Sequence, residues 1–212
     1  MAEKAPVFEK IYQDYLNQVE RLDLSGKDAI LSVRLSAAGT MIPFFNREFC
    51  VAHNGITDPE GHPPIHAVSV VLCRYLILCP ETEPENETEW VSYRNFKDAA
   101  PFAAAFARNT EATIAKNFTG RLTDLETACR KLGGFPVEAG LSYDLTMQVN
   151  GLPRVPLFLL FNDADAEFRA ECSVLFEKRA ERFLDMECLA ILGWLLSDYL
   201  AQAAGHGNET LV

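Results

Sequence analysis

Apolar positions recur at two different periods along this chain, and the switches between them divide it into elements. Phe8, Ile11, Tyr12, Tyr15, Leu16, Val19 and Leu22 repeat at helical spacing behind Pro6, and Ser25-Gly26 stops that helix. From Ala29 to Ala52 the pattern shortens. ILSVRL, MIPFF and REFCVA are brief and rich in β-branched or aromatic residues, and Ala38-Gly39 and Asn54-Gly55 separate or end them, so three strands in a meander are expected. Pro63-Pro64 opens a second helix with Ile65, Val68, Leu72, Leu76 and Cys79 on one broad face, and Pro80 ends it. Glu81 to Glu89 holds five glutamates and no apolar residue; it cannot bury surface and reads as a mobile acidic loop.

WVSYRNF (Trp90 to Phe96) reads as a short strand, and Phe102 to Phe118 as an alanine-rich helix. Thr123-x-x-Glu126 has the form of a capping box, followed by Leu125, Ala128, Cys129 and Leu132 and stopped by Gly133-Gly134. Tyr143, Leu145, Met147 and Val149 alternate along a strand that Asn150-Gly151 should turn. Val155 to Phe161 is apolar at every position, as in a strand buried on both faces, with Cys172 to Phe176 as its partner. Asp185 caps a last helix to about Ala203. The class expected is α+β, with mostly antiparallel sheets packed against helices. Residues 1–204 read as one domain, in which a meander-plus-helix unit occurs near 29–79 and again near 140–203, and 205–212 as a flexible tail.

Composition narrows the partners. A net charge of −11 argues against nucleic acid and against an anionic membrane surface, both of which are held by Lys and Arg. MAEKAPVF lacks the apolar core of a signal peptide, and the apolar run from Ala67 to Cys79 is too short to span a bilayer. Six cysteines scattered through apolar segments read as reduced core residues of a cytoplasmic protein, so Asn86, Asn117 and Asn208 are not read as glycan acceptors. A small molecule, a protein partner and a second copy of the chain stay open as partners.

Four groups of residues could carry chemistry. Cys50-x2-His53 with His62-x3-His66 approximates zinc-ligand arithmetic, but the pairs lie close together and straddle a strand and a turn, so the sequence assigns no metal. Asn162-Asp163-Ala164-Asp165-Ala166-Glu167 places oxygens at alternate positions, as an EF-hand does, yet Phe168 stands where the loop needs glycine. The functional reading puts Asp163, Asp165 and Glu167 in a cleft with Arg94 and Arg154. There they orient a polar ligand, or one carboxylate serves as a general base between two anion clamps. Trp90, Ser92 and Arg94 fall on one side of an extended strand, where tryptophan and arginine could stack a planar ligand or bind an anion. No G-x-S-x-G and no phosphate loop is present, so no catalytic residue is assigned and the cofactor is unknown.

IPFFNREFCV (Ile42 to Val51), Trp90 to Arg94, Leu152-Pro153-Arg154-Val155-Pro156 with the acidic turn, Val174 to Glu177 and the apolar last helix together resemble an uncharacterised prokaryotic family, domain of unknown function 3786. The resemblance runs from about Val7 to Leu200. It departs at Lys97-Asp98, where members tend to have paired glycines, and at Phe168-Arg169, where they tend to have Phe-Pro. It implies no reaction. The sequence therefore favours a non-catalytic accessory protein that binds a small ligand, cofactor or partner. The alternatives are an enzyme using the acidic-turn carboxylates with Arg94 and Arg154, and a metal protein using Cys50, His53, His62 and His66.

Overall fold

The computed structural model describes residues 6–84, 89–138, 140 and 142–205. The first five residues, Asn86 and the middle of the acidic loop, Asn208, and the tail beyond Gly205 lie outside the described residues. Helix α1 (Pro6–Glu20) packs on α3 (His66–Ile77), and Tyr12 ties it to the first sheet by accepting the Ile56 N–H at 3.1 Å.

The first expected strand is divided. Asp28–Leu31 is a single helical turn, α2, and only Arg34–Ser36 is strand, β1. Local β preference loses here because tertiary donors claim the carbonyls of the turn. The Tyr75 hydroxyl donates to Leu31 O at 2.6 Å, and Arg154 donates to Ala29 O and Ile30 O at 2.7 and 2.8 Å. Strands β2 (Gly39–Phe44), β3 (Arg47–Ala52) and β4 (Gly55–Thr57) complete an antiparallel sheet in the order β1-β2-β3-β4. Asn54-Gly55 thus opens a hairpin to a fourth strand instead of ending the meander. Phe45 and Asn46 turn β2 into β3 with φ of 45° and 63°. A phenylalanine tolerates that backbone because its ring is buried edge-on to Tyr199, with centroids 5.4 Å apart.

The second sheet has the order β5-β9-β8-β7-β6, antiparallel throughout, from Trp90–Ser92, Glu171–Glu177, Val155–Asn162, Leu145–Leu152 and Phe135–Pro136. Residues Val155 to Phe161 of β8 are all buried, as their unbroken apolar run requires. Asn150-Gly151 belongs to β7, and the chain reverses after Leu152, at Pro153-Arg154. The glycine serves packing there: a Cβ on Gly151 would lie 2.8 Å from Leu157 Cδ1 and 3.0 Å from Leu192 Cδ1.

The alanine-rich segment forms α4 (Ala100–Phe106) and α5 (Ala112–Phe118), joined by a π turn at Ala107–Glu111. Helix α6 (Leu122–Lys131) starts two residues earlier than a Thr123 capping box requires. Arg121 is the N-cap, no side chain caps it, and Glu126 pairs with Arg130 at 2.7 Å instead. Helix α7 (Met186–Ala203) starts at Asp185, whose carboxylate accepts the Cys188 N–H at 2.8 Å, and packs against α3, α4, α5 and α6. One buried cluster from Leu16 to Leu200 takes in both sheets and α7. The fold is α+β. Its two meander-plus-helix units differ, since the second sheet adds β5 and β6 outside its three-stranded meander. Among the described residues no helix is long and apolar enough to cross a membrane.

Candidate ligand groove at the free edge of the second sheet

The residues expected to act together are held apart. Arg154 sits at the turn before β8 and the acidic turn follows it, so the strand separates them by roughly 25 Å at 3.3 Å per residue. Arg154 is a structural clamp: besides the two α2 carbonyls it pairs with Glu83 at 2.9 Å. The acidic turn spends its carboxylates on backbone. Asp163 Oδ1 accepts N–H groups from Gly120 (2.7 Å) and Ala164 (2.8 Å), fastening the corner between α5 and α6 to the β8–β9 connection. Asp165 Oδ1 accepts from Glu167 and Phe168, both at 2.7 Å, and these bonds hold its carboxyl below its usual pKa. Glu167 is exposed.

The metal candidates also stay apart. Cys50 lies on the face of β3 opposite the buried Phe49 and Val51, with its thiol 3.6 Å from Ala38 O. His53 is exposed in the β3–β4 turn, His62 stands 3.5 Å from Asp58, and His66 meets the Tyr12 ring edge-on at 6.5 Å. Among the described residues no three His, Cys, Asp or Glu side chains are placed to hold a metal ion.

Trp90 and Arg94 do not share one strand face. β5 ends at Ser92, and Tyr93–Asn95 coils into a 3-10 turn. Tyr93 drives that change. Its ring stacks on Phe106 with centroids 4.4 Å apart, and its hydroxyl donates to Met186 O at 2.7 Å. The Trp90 ring packs on Phe158 at 5.1 Å, which is a sheet contact.

The early end of β5 has a consequence for β9. β5 pairs only with Leu175–Glu177, so among the described residues no strand covers Glu171–Val174 on that edge. The helix that lies there presents Ala103, Ala107, Ala112 and Ala115, side chains too small to fill the space. Two cavities of about 390 and 470 Å³ result, and they adjoin through Ala107, Glu111 and Ser173, which line both. Arg94 and Ser92 line the first; Lys116, Arg169 and Cys172 line the second.

Glu111 stands at the junction. Its Oε1 accepts the Val174 N–H at 3.1 Å, in place of the carbonyl a neighbouring strand would supply. Burial raises its pKa above the usual carboxylate value, and the Val174 bond and the charge of Arg94 only partly offset that. Arg94, Lys116 and Arg169 form no ion pair with any described residue; Arg21, Arg47, Arg108 and Arg182 share that state, while Arg34, Arg74, Arg121, Arg130, Arg154 and Arg179 pair with carboxylates. Burial, followed by the nearby Glu111 and Cys129, pushes Cys172 well above its usual pKa, so it borders the groove as a neutral thiol. The arrangement suits recognition of an anion, with a half-buried carboxylate between the cations.

Of the expected site residues, Arg94 alone lines this groove. Glu111, Lys116, Arg169 and Ser173 were not singled out by the sequence. One clue was legible: Glu111 is the only acidic residue between Phe102 and Phe118.

A family model described as Domain of unknown function (DUF3786) matches residues 23–199. No curated protein and no solved structure matches the chain. With the match spanning most of its length, from before β1 almost to the end of α7, the chain belongs to the DUF3786 family.

Proposed function

We propose that this protein is a non-catalytic binding protein for a small anionic molecule, held in the groove beside β9. The observation that carries the reading is the convergence of three cations, Arg94, Lys116 and Arg169, that pair with no described carboxylate, on two adjoining cavities in a chain of net charge −11. Cations gathered in one concave place without a described carboxylate partner favour an anionic occupant. The six cysteines are all free thiols, which supports a reducing, cytoplasmic setting.

Thermal melting against a panel of small anions tests it. A ligand at a hundred times its Kd adds about 2.7 kcal/mol, which for a chain of this size is a rise in Tm of roughly 5–10 °C. Arg94→Gln and Lys116→Gln should abolish or reduce that rise. Stabilisation that persists unchanged in both variants would place the ligand elsewhere and sink the reading.

One observation favours a second reading. Glu111 is a desolvated carboxylate with a raised pKa in a cleft, the usual setting of a general base. In an enzyme it would replace the acidic-turn carboxylates, which line neither cavity. Loss of a stabilising ligand from the mixture over time, absent with Glu111→Gln, would favour catalysis.

A further inference from the structure

We propose that the groove takes a ligand anionic at both ends with an N–H or O–H donor between them, the chemistry of a short amino- or hydroxy-dicarboxylate. This names the ligand class for the binding site above and rests on that reading. The cations are divided between the two cavities, Arg94 in one and Lys116 with Arg169 in the other. A single anion would satisfy one end and leave the other unpaired. Glu111 and Ser173, which line both cavities, lie between the ends.

The middle of the groove selects for a donor. Glu111 Oε1 is occupied by the Val174 N–H. The second carboxylate oxygen has no hydrogen-bond partner among the described residues, and an anionic or purely accepting group placed against it would be repelled. Glu111 and Lys116 are about 7.5 Å apart along the helix axis at 1.5 Å per residue, so the flexible lysine stem can reach an anionic end of a ligand whose donor rests on Glu111. Longer polyanions fit poorly, because Glu111 and Glu171 both face their path and three cations are too few to offset many phosphates.

The energetics favour this division of labour. An exposed ion pair adds only about two- to five-fold in affinity, so neither end alone holds a ligand tightly. A charge-assisted hydrogen bond to a partly buried carboxylate adds about tenfold or more. Preference for a donor should therefore exceed the gain from either charged end.

Calorimetric titration of the full chain with four probes tests the class: unsubstituted dicarboxylates, their amino- and hydroxy-substituted forms, monocarboxylates, and phosphate monoesters. The substituted dicarboxylates should bind about tenfold tighter than the unsubstituted ones. Arg94→Gln should weaken dicarboxylates about two- to five-fold and leave a monocarboxylate bound at the lysine end unaffected. Glu111→Gln keeps an acceptor for Val174 but turns a donor toward the groove, and should erase the preference for substituted ligands. Melting curves of each variant confirm folding.

If monocarboxylates or phosphate monoesters bind as tightly as dicarboxylates, and still depend on Arg94, the ligand class falls while the binding groove stands. If substituted and unsubstituted dicarboxylates bind equally, or Glu111→Gln keeps the preference, the donor assignment fails. If no anion binds in a manner that depends on Arg94 or Lys116, both the class and the groove fail.

Discussion

The acidic turn and the π turn both present carboxylates near the β9 strand, yet they use them in opposite ways. In the turn after β8, Asp163 and Asp165 face outward and take backbone N–H groups from their own loop and from Gly120. At the π turn, Glu111 is half-buried, takes one N–H from Val174, and keeps an oxygen toward the cavities. Density of charge in a sequence therefore points to turn construction at least as readily as to chemistry. Each of these carboxylates keeps a second oxygen outside its backbone bonds, so what separates the two sites is desolvation and the cavities in front of Glu111, which only tertiary packing creates.

If structural and ligand-facing carboxylates are truly distinct classes, removing them should have distinct consequences. The largest loss of stability should come from Asp185. It caps α7 through Cys188 and pairs with Arg74 at 2.7 Å, so alanine removes a cap and leaves a mostly buried guanidinium unpaired. The expected cost is about 2–3 kcal/mol, a fall in Tm of roughly 5–10 °C, with Asp185→Asn intermediate because asparagine still caps. Burial raises the Asp185 pKa, but hydrogen bonds from Cys188 and Arg74 more than offset it, leaving the pKa below its ordinary value. Its contribution is therefore full above the unfolded value and fades as pH falls through the folded one. Asp185→Ala should lack that acid sensitivity, which a melting series against pH will show.

Asp163 comes next. Its two N–H bonds are at the surface, so Asp163→Ala should cost about 1 kcal/mol, roughly 2–4 °C in Tm. Asp163→Asn, which keeps an acceptor, should cost less. Anion binding should survive in both variants. A loss of binding in Asp163→Asn without a loss of stability would mean that the acidic turn belongs to the site after all.

Most of the fold was legible because period and punctuation agree with packing. The run from Val155 to Phe161 and the cap at Asp185 are both as the residues imply. The misreadings share a cause. ILSVRL opens in a helical turn because Arg154 and Tyr75 reach its carbonyls from far along the chain, and Gly151 lies in a strand because Leu157 and Leu192 need its space. Neither demand is local. The groove was illegible for the same reason: it exists where β5 stops short and alanines face an uncovered edge, and absence of filling leaves no motif. Arg94 was singled out as an anion clamp, but the neighbouring carboxylate of Glu111 could not be found without the sheet edge that brings the two to one cavity.

The smallest effect on stability, and the most discriminating, belongs to Glu111. Its folded pKa lies above the ordinary 4.5, so the native state holds the proton more tightly than the unfolded chain. Stability is then greatest below the unfolded value, declines as pH rises through the folded pKa, and carries the full cost of the buried charge above it. This is opposite in sign to Asp185. Glu111→Gln removes the titration while its amide oxygen can still accept the Val174 N–H, so the variant should be flat across this window and at least as stable as the parent at neutral pH. The difference in Tm between the two proteins, followed from about pH 3.5 to 7, reads this directly. If Glu111→Gln is clearly less stable at pH 7 and matches the parent only in acid, then the carboxylate is a structural anchor like Asp163. A charge retained at a cost to stability has its explanation in the groove; a charge that stabilises the fold needs no ligand to account for it.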